Sequence, residues 1–365
     1  MTNASMTTRV WRHPALWALV LIAGSPLAKA GIAADQPAAS PPVVATCPEE
    51  RTTDAAADRV SISAVAPPSV EVVKRLDLDP HYTKHVFVGD FSVVSGQSVA
   101  DAALLEAAWL IRQMIGHRPD VLSAMAKNRV RFAIMGVSEM TTDLPEHSDL
   151  TPKSYWNRRA RGLGATPQRP AVSCGEENLL CYPGDPYSTE NILIHEFGHA
   201  IHQMGLNTTN PDFDDRLKLT FDQAMESGLW KDKYASTNRF EYWAEGVQSW
   251  FDTNRENDRE HNHVNTRAEI IEYDPGLAKL LSELFGEGDW RYTRPETRAD
   301  APHLAGWNRN DSPRFAWPKQ VSEAYERCSK RTKPPRARSG RMRRPVMRRD
   351  GSRSARPRPG RRASC

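Results

Sequence analysis

Apolar residues recur along the chain with two different periods. Between about Ser69 and Val137 the runs are short and partly β-branched: "HVFVGDFSVVS" and "RVRFAIMGV" (129–137) read as strands, and "VADAALLEAAWLIRQMI" between them reads as a helix. Residues 141–187 are rich in Pro, Gly and charge and read as long loops. From Ser188 onward, helical spacing dominates, and no internal repeat is present. Strands early and helices late predict an α+β domain over 69–329. It is preceded by an Ala/Pro-rich linker or pro-segment at 31–68.

One helical segment carries chemistry. In "ENILIHEFGHAIHQMG" (190–205), Leu193, Phe197, Ala200, Ile201 and Met204 fall on one side of a helix, and His195, His199 and His202 on the other. Ser188 or Asp185 is positioned to cap its start and Gly205 to end it. The apolar side supplies a core without the histidines. His195 and His199, one turn apart, can aim two ring nitrogens at a single ion, with Glu196 one step round beside it. His202 lies a further turn along and reads as structural. The competing reading of the motif is a solvated polar face.

A catalytic zinc site needs a third protein ligand and an open position. The metzincin spacing would place a histidine at position 205, which is Gly205, so that class is excluded. A later helix offers a carboxylate instead. In "RFEYWAEGVQSWF" (239–251), Phe240, Trp243, Ala244, Val247 and Phe251 form an apolar stripe, and Glu241 and Glu245 share its flank. One of the two can ligate the metal while the other holds a ligand histidine by its remaining N–H; the alternative is two solvated glutamates.

"HEFGH" followed by "YASTNRFEYWAE" resembles the gluzincin branch of zinc metallopeptidases that includes anthrax lethal factor and the Pro-Pro endopeptidases. That family places a tyrosine seven residues before the ligating glutamate and follows it with an E-F/Y-x-A-E helix. Tyr234 and Glu241 have this separation, and "EYWAE" matches the helix. The resemblance covers about 188–252. It implies a zincin-like fold, with a small sheet packed on the HExxH helix and a mainly helical C-terminal lobe. It also implies zinc held by His195, His199 and Glu241, with Glu196 as general base, Tyr234 as transition-state donor and Glu245 as the acid behind the ligands. His202 departs from the acidic residue that the family has there. Residues 31–187 do not align with the family, so no substrate recognition is implied for them. Strand 129–137, taken as an edge strand, would hold an extended peptide by backbone pairing.

Composition adds location and a second surface. At 39% hydrophobic and 26% charged residues the chain reads as soluble and globular. Arg9 and Arg12, the run "ALWALVLIAG" and "AKA" ending at Ala30 have the form of a secretory signal, 1–30, which makes the expected location secreted or periplasmic. In an oxidising compartment cysteines can pair. Cys174 and Cys181 are the easiest pair to close, Cys47 and Cys328 could staple the ends, and Cys365 is left over; the alternative is free thiols. The net charge of +4 conceals an asymmetry, since residues 330–365 carry +14 and 31–329 carry −13. The basic tail has too few apolar residues to fold and reads as a solvated segment or a docking element for polyanions. Together these features predict an exported zinc-dependent metallopeptidase acting on a peptide or protein, with no integral membrane segment once the signal is removed. The rival is a catalytically silent zinc-containing protein that docks to anionic surfaces through its tail.

Overall fold

The folded region starts about ten residues earlier than composition predicts. The computed structural model describes residues 59–332, so the expected signal segment, Cys47, Cys365 and the tail beyond Thr332 lie outside the described residues. Within the stretch read as linker, Ile62 and Ala66 bridge to Val88 and His85 along the outer side of the first strand. No described helix is long and apolar enough to cross a membrane.

The structure is α+β, with a small mixed sheet and many helices. After helix α1 (Val70–Leu76), the patch read as one strand is a hairpin, β1 (Lys84–Val88) and β2 (Phe91–Ser95), turning at Gly89. Helices α2 (Asp101–Ile115) and α3 (Pro119–Lys127) lead to β3 (Arg131–Met135). The region read as long loops contains α4 (Lys153–Arg159), β4 (Gly162–Leu163), β5 (Ala171–Gly175) and α5 (Glu176–Leu179). The strand order is β1-β2-β3-β5-β4, with β2, β3 and β5 parallel and the outer strands antiparallel. Strand β3 is therefore central. Both its edges are paired, which overturns its expected role as a peptide-binding edge.

Strand alternation divides the interior in two. Val93, Phe132, Ile134 and Val172 face the main core with α2, α3 and α6 (Ile192–Ala200), whereas Val94, Ala133 and Met135 face a smaller cluster with Val72 and Leu76 of α1. Phe197 of α6 fixes that helix on the sheet, its ring set edge-on to Phe91 and Phe132 at 5.4 and 6.4 Å. Emptying such a buried aromatic site typically costs about 3–5 kcal/mol, so Phe197→Ala should loosen α6 before it affects any other element.

Beyond Ala200 the chain widens into a π turn, Ile201–Leu206, then continues through α7 (Asn207–Thr209) and α8 (Phe213–Glu226). Gly205 does not end the helix; it lies in this turn, packed on Val121 of α3. The helical lobe is completed by α9 (Arg239–Trp250), α10 (Arg267–Tyr273) and α11 (Pro275–Phe285), whereas α12 (Lys319–Thr332) packs on α4, with Tyr325 stacked on Tyr155. Cys174 and Cys181 are separate buried thiols, contrary to the expected pair. The helical turn of α5 stands between them: Cys174 Sγ faces the Gly175 carbonyl and Asn178, while Cys181 Sγ faces the Tyr292 hydroxyl.

Three histidines in this interior make stability depend on pH. Burial holds the imidazoles of His85, His147 and His202 down to about 4. The unfolded chain binds those protons near pH ~6.5, the folded chain only near 4, so within this window the unfolded state holds more protons and stability rises with pH. These histidines contribute a fall in melting temperature as pH is lowered from ~6.5 toward ~4, opposed over part of the window by Asp185, whose carboxyl burial raises to about 6. A His147→Gln variant whose melting temperature falls with pH as steeply as that of wild type would show that this side chain is already charged in the fold.

Candidate metal centre

Helix α6 starts at Asn191, not at Ser188 or Asp185. The Asn191 Oδ1 accepts the Ile194 N–H at 3.0 Å and satisfies one of the unpaired first-turn donors. Asp185 instead accepts the Tyr187 N–H in the preceding loop. Helix α9 starts in the same way, with Asn238 Oδ1 accepting the N–H groups of Phe240 and Glu241. This places Glu241 in the first turn, where the helix dipole favours a carboxylate.

The two helices pack closely because Gly198 has no side chain. A Cβ there would meet Val247 of α9 at 3.3 Å, and the Trp243 indole N–H donates to the Gly198 carbonyl at 2.9 Å. His195, His199 and Glu241 are thereby brought together, all of them buried. Their potential donor atoms form a nearly equilateral triangle: His195 Nε2 to His199 Nε2 3.2 Å, His195 Nε2 to Glu241 Oε2 3.3 Å, and His199 Nε2 to Glu241 Oε2 3.4 Å. The competing reading, a solvated histidine face, fails here, since His195 and His199 are buried under α9.

The triangle suits a tetrahedral ion. Ligands at about 2.0–2.1 Å from zinc, separated by tetrahedral angles, stand roughly 3.3–3.4 Å apart. Two imidazole nitrogens 3.2 Å apart need either a shared proton or a cation between them. The surroundings favour such a charge. Against the desolvation that would lower it, hydrogen bonding to Glu241 and the charges of Glu196, Glu241 and Glu245 push the His195 imidazole up to about 10.

The neighbours of the triad set its protonation. Gln248 Oε1 lies 2.9 Å from His195 Nδ1, and the Gln248 Nε2 donates to Glu190 and to the Asn191 carbonyl. The amide orientation is thus fixed and its oxygen can only accept, so His195 holds an N–H at Nδ1, and a metal at the triad would displace only the proton on Nε2. Glu245, expected to hold a ligand histidine, lies farther away, with Oε1 at 3.6 Å from the same nitrogen. His202 is structural as expected: its Nε2 is 3.0 Å from Asp214 Oδ1, which Arg239 also engages, tying the π turn, α8 and α9.

Glu196 follows His195 and flanks the triad, and burial raises its carboxyl above the usual carboxylate range. Gly162 of β4 and Gly164 just after it lie against it: a Cβ at Gly162 would meet Glu196 Cγ at 3.1 Å, and one at Gly164 would meet His199 Cβ at 3.0 Å. Tyr234 stands in a 3-10 turn (Tyr234–Ser236), its ring centroid 6.5 Å from that of His195. Burial, then the charge of Glu241, raises its hydroxyl far beyond physiological pH, so it remains an O–H donor. Arg159, at the end of α4, brings a positive charge to Glu196 and Tyr234.

Sequence reasoning missed Gln248, Asp214 and Arg159. Gln248 was within reach of it, since it lies three residues past Glu245 on the same helix face. Asp214 and Arg159 carry no local signal, because tertiary packing alone brings them in. No known family model and no curated protein matches the chain.

Two measurements follow from this geometry. Purified protein should contain about one zinc per chain, and His199→Ala should lose most of it. Persistent absence of metal in the intact protein, even after zinc is added, would contradict the site. Glu241→Gln should weaken zinc retention more than Glu245→Gln, because the first removes a donor atom of the triangle. The reverse order in a chelator competition would mean that the two carboxylates exchange roles.

Proposed function

We propose that the protein is a zinc metallopeptidase of gluzincin type, with His195, His199 and Glu241 as ligands. The observation that carries this reading is the triangle of three buried donor atoms with edges of 3.2–3.4 Å, flanked by Glu196. When bound, zinc supplies Lewis acidity toward a water and toward a peptide carbonyl.

The chain's own residues do the rest. Glu196 takes the proton of the attacking water and hands it to the leaving amine; its raised affinity for protons suits both halves of that task. Tyr234 donates its O–H to the carbonyl oxygen as negative charge develops there. Three protein ligands would leave such an ion room for a water, and Glu196, next to His195 in the chain, would be the residue to receive its proton.

The substrate strand belongs beside β4, not β3. Among the described residues β4 is an outer strand, paired on one side only, to β5, and Gly162 with Gly164 just after it brings the backbone against Glu196 and His199. An extended peptide pairing with that edge would pass directly over the triad. Side chains at Gly162 or Gly164 would push the strand off α6, so Gly164→Val should raise KM when compared with wild type at equal zinc occupancy.

The test is cleavage of a peptide library by wild type and Glu196→Gln at equal zinc occupancy. The variant keeps its size but accepts no proton, so zinc should stay while cleavage falls by orders of magnitude. Tyr234→Phe should lose about 10²–10³ in kcat. Equal cleavage by wild type and Glu196→Gln would refute the mechanism, and cleavage by neither would favour a silent zinc-binding protein.

A further inference from the structure

Behind the triad, the segment between α9 and α10 makes a set of contacts that the proposed chemistry leaves unassigned. Its centre is His261, buried, with a carboxylate oxygen at each ring nitrogen: Asp258 Oδ1 lies 2.9 Å from Nδ1, and Glu245 Oε2 lies 3.3 Å from Nε2. Carboxylates only accept, and a neutral imidazole has a single N–H. Satisfying both neighbours therefore requires the imidazolium form. Asp258 stays ionised, because it also accepts the N–H groups of Glu260 and His261 and the guanidinium of Arg255.

Two parts of the candidate site hang on this segment. Glu245 Oε2 receives His261 and the Asn254 amide, so its charge is held toward the segment, while Oε1 stands 3.6 Å from His195 Nδ1. On the other side, the Tyr234 N–H donates to the carbonyl of Glu260, the residue before His261, at 2.7 Å. Lys233 Nζ donates to the Asp258 carbonyl, and the Tyr234 ring centroid lies 6.5 Å from that of His261. The groups that face His261 are thus Glu245 from α9, Tyr234 from its turn, and Asp258 and Arg255 from the segment itself.

We infer that His261 is a positioning residue: as an imidazolium held between Glu245 and Asp258, it pins segment 254–264 to α9 and so sets both the carboxylate behind His195 and the place of Tyr234. The inference rests on the zinc-site reading above. With Glu245 Oε2 held toward His261, the ligand His195 is oriented by the neutral Gln248 amide. Without the imidazolium, Glu245 is free to draw the His195 N–H toward itself, and the anchor of Tyr234 loosens.

The test compares wild type, His261→Phe, Asp258→Asn and the double variant His261→Phe/Glu245→Gln, each as the full chain. Zinc affinity is read by competition with a chromophoric chelator, kcat and KM on a cleaved peptide, and the ring-nitrogen state by 15N NMR. His261→Phe should weaken zinc binding by about 10–100-fold and lower kcat with KM nearly unchanged, as loss of a partner behind the ligands typically does. In the Glu245→Gln background the same change should have little further effect on zinc affinity, because His261 acts through Glu245. Asp258→Asn, at a partly exposed position, should shift both quantities the same way by less. The 15N spectrum should show both His261 nitrogens protonated at pH 7.

Unchanged zinc affinity and kcat in folded His261→Phe, or fully additive losses in the double variant, would overturn the inference and leave the zinc site standing. If His261→Phe fails to fold, unchanged zinc affinity in Asp258→Asn together with a neutral imidazole overturns it as well. A wild type that binds no zinc would overturn the site and this inference with it.

Discussion

Two imidazole nitrogens and a carboxylate oxygen, buried and 3.2–3.4 Å apart, are the constraint that the rest of the structure meets. Polar atoms brought together in an interior need a partner that neutralises them, or the fold carries their desolvation cost. Nearly every contact around the triad bears on that balance. Glu196, Glu241 and Glu245 make the site strongly attractive to a cation. Gln248 fixes the tautomer of one ligand, and the Asn238 cap places the carboxylate at a helix start. His202, Asp214 and Arg239 lock the helix behind it.

The sheet and the helical lobe serve this constraint in different ways. The sheet supplies a flat apolar face on which Phe197 holds α6, and its outer strand β4 runs beside Glu196. The lobe supplies α9, drawn onto α6 at Gly198 by Val247 and Trp243. One element therefore carries Glu196 and the two histidines of the triad, and the other carries Glu241. Relative movement of α6 and α9 by even an ångström would open the triangle, so the packing of these two helices is itself part of the site.

The sequence disclosed the His195, His199 and Glu241 group more fully than the architecture. His195, Glu196 and His199 are local in sequence, and the helical period alone places them side by side. Glu241 could be separated from Glu245 only through the spacing to Tyr234, because both glutamates share one helix face. The strands were harder. β5, "AVSCG", is short and sits in a stretch rich in Pro, Gly and charge, so it gives no periodic signal, and without it β3 reads as an edge. Residues 60–66 join the sheet by isolated backbone bridges, which leave no hydrophobic pattern to read. The π turn after Ala200 preserves helical spacing closely enough to pass for an uninterrupted helix. The partners His261 and Arg159 depend on loops whose course no local rule specifies.

Zinc K-edge X-ray absorption on the purified protein tests the central claim most directly. The triangle predicts a first shell of about four N or O neighbours at about 2.0–2.2 Å, with the outer-atom scattering of two imidazoles and no sulfur. A shell containing sulfur at about 2.3 Å, or one without imidazole scattering, would contradict it.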